Sequence, residues 1–396
     1  MLAFKRSTVW SGVVFLSASS LVGAVGFENH RIVARGAIQL LPEPIAPLFA
    51  YQQLGFVERA LEPVSVWPRD PDMRKRQTWQ WVPLDLGARE QTREARMEAA
   101  ARFPRSAAGV KKLYKAHHLR VGGALPWAVE QLYEECVEAF QQGREEDVIR
   151  SAGHLAHFAG VCASPFAATT DQDGRLSGSL HLGAQEPGDD HYAHQNVRYR
   201  FDMALANRNG SRYAEKLALE EAAYEPVAQP VDAAFTILLD SLGCVDEVLA
   251  ADSEIIRRLE VTDGGGFAKR ADEFYVLFDE RCGDLSVERL RAGAVFAAGL
   301  IGGAWEAAGK PTIEQIRARA NAAPPATAAL DDDGQTAGRQ ADAGFVGSNN
   351  SKVFHHPECP HAQRISSANR VRFRTSREAL DQGRRPCKTC NPGDEH

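Results

Sequence analysis

No stretch before residue 340 alternates apolar and polar residues over a strand's length, whereas apolar residues recur at helical spacing along most of it. Ile32, Ala37, Ile38 and Leu41 fall on one helical face, and Pro42 stops that helix. A second helix is expected from about Ile45 to Leu61, then a Pro-rich loop from Pro63 to Pro71 and an aromatic patch at Trp79 and Trp81. Residues 87–117 are charged and Ala-rich, which fits an exposed helix and a connection. Val129, Leu132, Tyr133, Cys136, Val137 and Phe140 predict an amphipathic helix from Pro126 to Phe140. Gly143 ends it, and Asp147 is placed to cap the next one. Two or three more helices are expected in residues 212–260 and 267–308. Ala292 to Trp305 is nearly all apolar or small, so that helix is expected to be buried. The fold class read from this pattern is an all-α multi-helix domain over residues 27–319. An apolar fraction of 44% in 396 residues is ample for its core.

Both flanks of this domain differ in character. Residues 1–26 read as a secretory signal: Lys5 and Arg6 form a positive start, Val9 to Val25 is apolar but broken by several serines, and Ala24-Val25-Gly26 offers small residues for cleavage; the alternative is a transmembrane anchor, for which the run is short and Ser-rich. An exported protein, periplasmic or extracellular, is expected. Residues 320–343 are small, polar and without periodicity, the composition of a flexible linker. Cys136, Cys162, Cys244 and Cys282 are scattered through the helical part, and they read equally well as disulfide partners or as buried thiols. The formal net charge of −6 suggests no overall affinity for polyanions.

The chemistry concentrates between Gly153 and Asp202. His157-Phe158 lies on an apolar helical segment, Pro165-Phe166 ends it, Asp173-Gly174 makes a polar turn, and Phe201-Asp202 lies in the next helical run. This order of words resembles the all-helical superfamily of zinc-dependent phospholipases C and zinc-dependent single-strand nucleases. The order and approximate spacing of residues from Phe27 to Asp85 resemble it too. The resemblance implies a three-zinc cluster that makes a hydroxide and stabilises a phosphodiester under in-line attack. Carried over residue by residue, the first ligand position is His30. The next motif falls on Arg59 and Val64, and the following His on Gln80. The helix ligands fall on His157 and Val161, the His after Pro-Phe on Ala167, and the last two on Arg198 and Asp202. Only His30, His157 and Asp202 remain as remnant ligands. Valine and alanine cannot ligate, so the resemblance here implies a metal-free, catalytically silent domain.

Two further readings concern the same stretch. His154, His157, His181, His191 and His194 lie near Asp171, Asp173, Asp189, Asp190 and Asp202 in sequence, and a metal site could be rebuilt, particularly from His157, His191, His194 and Asp202. The plainer reading of residues 181–194 is a solvated surface loop. Arg198 stands where a metal ligand is expected, four residues before Asp202. It is either a plain i,i+4 ion pair or a guanidinium that replaces the metals' positive charge and still binds a phosphate or other anion.

The C-terminal residues 344–393 form a separate α+β module. His355-x-x-x-Cys359 and Arg385-Pro386-Cys387-x-x-Cys390 supply two ligand pairs at zinc spacing. The pattern closely resembles the metal-binding module of the Ada DNA-repair protein. In that module the first ligand is a cysteine that takes a methyl group from a DNA phosphotriester. Here it is His355, with His356 as a substitute, and a zinc-bound imidazole cannot do this. Structural zinc on His355, Cys359, Cys387 and Cys390 is expected, without methyl transfer. Arg370, Arg372 and Arg374 alternate around Val371 and Phe373, and Arg384 and Arg385 follow. They suggest a stripe for a polyanion such as nucleic acid, acidic glycan or anionic lipid; the alternative is a solvated basic face. The expected function is therefore an exported, non-catalytic binder of a phosphate-bearing or polyanionic ligand. The alternative is an active metal-dependent phosphodiesterase, phospholipase or nuclease, that uses the rebuilt site.

Overall fold

The computed structural model describes residues 27–90, 92–117, 119, 122–172, 175–176, 192–193, 196–222, 225–261, 264–321, 345–348, 351–356, 359–363, 365, 370–373, 379–380, 382–388 and 390. The signal-like residues 1–26, most of the linker, His181, His191, His194, Asp173, Asp189, Asp190 and Arg374 lie outside them. The chain divides into two compact units, one ending at Ala323 and one beginning at Pro324.

The first unit is helical. Its N-terminal half holds α1 (Glu28–Leu40), α2 (Ala46–Tyr51), α3 (Gln53–Ser65), α4 (Arg93–Ala101) and α5 (Ala107–Ala116). Next come α6 (Leu125–Gln142), α7 (Glu145–Cys162), α8 (Leu205–Glu215), α9 (Pro230–Leu242) and α10 (Val245–Arg258). The 44-residue α11 (Gly264–Ala307) and α12 (Ile313–Asn321) complete it. The two-residue ladder of β1 (Arg175–Leu176) with β2 (Tyr192–Ala193) is its only strand pairing among the described residues. No helix among these residues is long and apolar enough to cross a membrane.

The helix expected from Ile45 to Leu61 is two helices, because Gln52 leaves helical geometry at φ −96° and ψ 19°. The second of them continues through Pro63 to Ser65, so the Pro-rich stretch begins as helix. Asp147 does not cap α7. Gly143 turns the chain in a left-handed conformation after α6, and Arg144 takes the cap position, so Asp147 falls inside the first turn. There Glu145, Glu146 and Asp147 complement the positive end of the helix dipole.

Helix α7 is the centre of the unit. Every residue from Val148 to Cys162 except Arg150 and Gly160 is buried, which is why its apolar pattern runs nearly all round. Small residues let its neighbours approach. A Cβ on Gly153 would lie 2.5 Å from the Arg59 Cβ and 2.9 Å from the Phe56 carbonyl oxygen. A Cβ on Gly293 of α11 would lie 3.1 Å from the Gly160 Cα. One buried cation ties the N-terminal half to the segment after α7. Arg96 donates to Asp85, to Asp171 and, at 2.8 Å, to the Thr169 hydroxyl. Asp171, one of the acids near the rebuilt-site candidates in sequence, is thereby held in an ion pair with both partners 2% exposed.

All four scattered cysteines are free thiols. Burial pushes the Cys136 and Cys282 thiols up to about 12, and raises Cys162 and Cys244 as well. They behave as small apolar side chains rather than reactive groups.

The second unit carries a four-stranded sheet in the order β5-β3-β4-β6: β3 (Phe345–Ser348), β4 (Val353–His355), β5 (Arg370–Phe373) and β6 (Arg385–Pro386). β3 pairs antiparallel with β4 and β5, and β4 pairs parallel with β6. One short helix, α13 (Pro360–Gln363), follows Cys359. Among the described residues Phe345, Phe354, Phe373 and Ala379 form one small cluster, and Val346, Cys359, Ala362 and Cys387 form another. Cores this small are commonly supplemented by disulfides, a metal or oligomerisation.

Candidate functional site

Side chains from α1, α3, α7 and the segment before α8 converge on one cavity of about 270 Å³ in the helical unit. His30, Val64, Gln80, Val161, Arg198 and Asp202 all line it. His157 lies beside His30, with the rings stacked at 4.2 Å between centroids and 27° between planes. His157 Nδ1 is 3.0 Å from the Ala60 carbonyl oxygen, and Nε2 is 3.3 Å from Gln80 Oε1. Burial, reinforced by the Arg198 charge, holds the His30 imidazole down at about 3. Burial, with smaller contributions from His30 and His154, holds His157 well below its ordinary range. Both rings are therefore neutral at pH 7. His30 Nδ1 is buried without a hydrogen-bond partner.

Arg198 and Asp202 face each other, Nε to Oδ2 at 3.3 Å, and Arg198 Nη2 donates to the Gln80 carbonyl at 3.2 Å. The Ser164 hydroxyl lies 2.8 and 2.7 Å from the two Asp202 oxygens. Burial raises the Asp202 carboxyl, against the pull of Arg198 and Ser164. The chain here is a π-helix, Tyr199–Ala204, a form that is rare and concentrated at functional sites. Its far side is pinned by Arg200, which meets Asp252 with two bonds of 2.7 and 2.8 Å. The segment thus presents Arg198, Tyr199, Asp202 and Met203 to the cavity.

Several sequence-singled residues lie elsewhere. Ala167 is fully buried, and its carbonyl accepts from the Val82 N–H at 2.8 Å. His154 points away, with Nε2 2.8 Å from Glu62 Oε2. Arg59 pairs with Glu62 and Glu146. The cavity also takes Ser164, Asn29 and Arg289, which the sequence reading does not single out. Ser164 adjoins the Pro165-Phe166 word and was within reach of it. Arg289 is one cation on the long α11, and nothing local marks it. Its Nη1 donates to Asp240 at 2.6 Å and its Nη2 to Glu288 at 2.6 Å, while its buried Nε has no partner.

In the second unit His355, Cys359, Cys387 and Cys390 offer ligand atoms that all lie within 4.8 Å of one another. Among the described residues they are the one such group of His, Cys, Asp or Glu. The sheet brings the two pairs together. β4 and β6 run side by side with Phe354 opposite Pro386, and the Cys387 N–H donates to the Phe354 carbonyl at 2.9 Å. His355 Nδ1 and Cys359 Sγ are 3.7 Å apart. Tetrahedral zinc with Zn–S of about 2.3 Å separates its donors by close to this distance. The donor set and spacing fit structural zinc, with thiolates and imidazole filling all four positions. His356 is not in this group; its ring packs on Phe345 at 5.1 Å.

The basic residues of this unit do not form a uniform free stripe. Arg370 Nη2 donates to the carbonyls of Ala362 and Ile365 at 2.9 and 3.2 Å. Arg384 Nη1 donates to those of Ser348 and Ser351 at 2.6 and 2.7 Å, over the Phe373 ring. Both guanidiniums hold loops around the sheet. Arg385 is exposed, and Arg372 lies on β5.

No curated protein matches this chain. Residues 334–393 match the metal-binding domain of Ada, so the C-terminal unit is an Ada-like zinc-binding domain whose His355, Cys359, Cys387 and Cys390 form its metal cluster.

Proposed function

We propose that the helical unit is a catalytically silent relative of the zinc-dependent phospholipases C and nucleases, and that it binds a phosphate-bearing or other anionic ligand in the Arg198 cavity. One observation carries this reading. His30, Val64, Gln80, Val161, Arg198 and Asp202, which the resemblance assigns to metal ligation, gather on one cavity although they are scattered along the sequence. The place is kept while the chemistry is changed. Two valines offer no lone pair, and His157 has oxygen atoms facing both ring nitrogens. A guanidinium supplies positive charge where the related enzymes use metal. Neutral His30 and the buried Arg289 Nε add polar atoms without partners at the wall. The Ada-like domain then serves as a zinc-stabilised attachment, and its exposed Arg385 and strand Arg372 are the contacts proposed for a polyanion. Export of the mature chain from about residue 27 is part of the same reading.

Titration of the full-length protein with inorganic phosphate, followed by calorimetry, tests it. Binding that is lost in Arg198→Met supports the anion site. Hydrolysis of a generic phosphodiester that depends on added metal and vanishes in His157→Ala would instead establish the phosphodiesterase.

A further inference from the structure

A second chamber of about 360 Å³ lies against the first, and the two share Val64, Gln80 and Arg198 as their common wall. Its other lining residues include Phe27, Pro63, Trp67, Met73 and Arg76. The surface is apolar and aromatic, with two guanidiniums and no carboxylate among the lining residues. Arg76 is fixed over the Trp79 ring at 4.5 Å and the Trp67 ring at 5.3 Å, where stacking holds a planar cation in place. Its carboxylate partner, Glu135, is 3.8 Å away and 41% exposed, so that pair is weak. Phe27 sits at the rim with φ 73°, a left-handed conformation that a bulky side chain adopts only when its surroundings hold it.

Resting on the anion-site reading, we infer that the ligand is an anionic group on an apolar arm, its head on Arg198 at the shared wall and its arm in the Trp67–Met73 chamber. Charge sets the head. Arg198 already shares its charge with Asp202, whereas Arg76 has only the weak Glu135 pair, so the two guanidiniums keep positive charge to offer an anionic head. Shape sets the arm. The first chamber lies just below and the second at the low end of the usual range for a small-molecule site, and the apolar one has few groups to orient a polar ligand. A carboxylate head and a phosphate-ester head both satisfy this chemistry.

Calorimetry on the full-length protein distinguishes the possibilities, with sodium octanoate, sodium butyrate, octyl phosphate and inorganic phosphate as probes. Each buried methylene is worth about fourfold in affinity. Octanoate should therefore bind at least about tenfold more tightly than butyrate, or octyl phosphate than inorganic phosphate, and the tighter octyl compound identifies the head group. Arg198→Met should abolish binding of both octyl compounds, and Met73→Trp, which fills the chamber, should remove the dependence on chain length. Equal affinity for long and short members of both series, still lost in Arg198→Met, overturns the apolar arm and leaves the anion site standing. Binding unaffected by Arg198→Met overturns both. Circular dichroism of each variant, unchanged from the parent, confirms that loss of binding is not loss of fold.

Discussion

The imidazoles of His30 and His157 stack at 4.2 Å in a buried site, and both are uncharged at neutral pH. Stacked protonated rings would repel, and burial already disfavours the charge. In the unfolded chain both rings titrate near their ordinary value of about 6.5. As pH falls below that value, the unfolded state takes up protons that the folded state refuses. Stability is therefore full above pH ~6.5 and is lost progressively towards about 3, the folded-state value of His30. Between pH 6 and 5 the pair should contribute a loss of roughly 1–3 kcal/mol, at up to about 1.4 kcal/mol per residue per pH unit. Urea unfolding at the two pH values checks this, with His157→Gln expected to show about half the difference.

Among the described residues Arg96 is the one cation bonded to both Asp85 and Asp171. Its replacement leaves two buried carboxylates facing each other without a counter-charge. Arg96→Met should destabilise the helical unit by about 3–5 kcal/mol, read from the denaturant midpoint. Arg102→Met, at the C-terminal cap of the same helix, removes an exposed pair and should change stability by less than about 0.5 kcal/mol.

Gly153 allows α7 to pass against α3. A methyl there would meet the Arg59 Cβ and the Phe56 carbonyl, and backbone does not move aside cheaply. Gly153→Ala should cost about 1–3 kcal/mol, despite alanine's better helix propensity. Gly309 is different in kind. It has φ +89° with open space around it, so Gly309→Ala is strained only through its backbone and should cost about 1–2 kcal/mol.

Among the described residues the apolar clusters of the C-terminal unit are small, and two of its ligands, Cys359 and Cys387, sit in one of them, so its structure should depend on its metal. A strong chelator should render residues 345–390 sensitive to protease while the thermal transition of the helical unit stays in place. Loss of that transition would show that the helical unit also depends on metal.

Much of this architecture was legible in the sequence because it rests on local pattern. The period of Val129, Leu132, Cys136 and Phe140 predicted α6, and the near-continuous apolar run of Ala292 to Trp305 predicted burial on α11. The zinc ligands were legible because their spacing is itself the chemistry. What was not legible depends on residues meeting from far apart. Arg289 reaches the cavity only because α11 packs on α1 and α7, and the second chamber exists only because the 3₁₀ turns Trp67–Arg69 and Arg74–Gln80 after α3 place Trp67 and Arg76 beside Arg198. The π-helix at Tyr199–Ala204 has no local sequence mark either. Arg370 and Arg384 looked like a free basic stripe because sequence shows the charge of a guanidinium but not the carbonyls it meets.

Zinc content per chain, measured by elemental analysis on the full-length protein and on Cys387→Ser/Cys390→Ser, tests the central claim most directly. One zinc per chain is expected in the parent and none in the double variant, with the helical unit's circular dichroism unchanged. Zinc retained at one per chain by the double variant would place the metal elsewhere than on the four C-terminal ligands and contradict this.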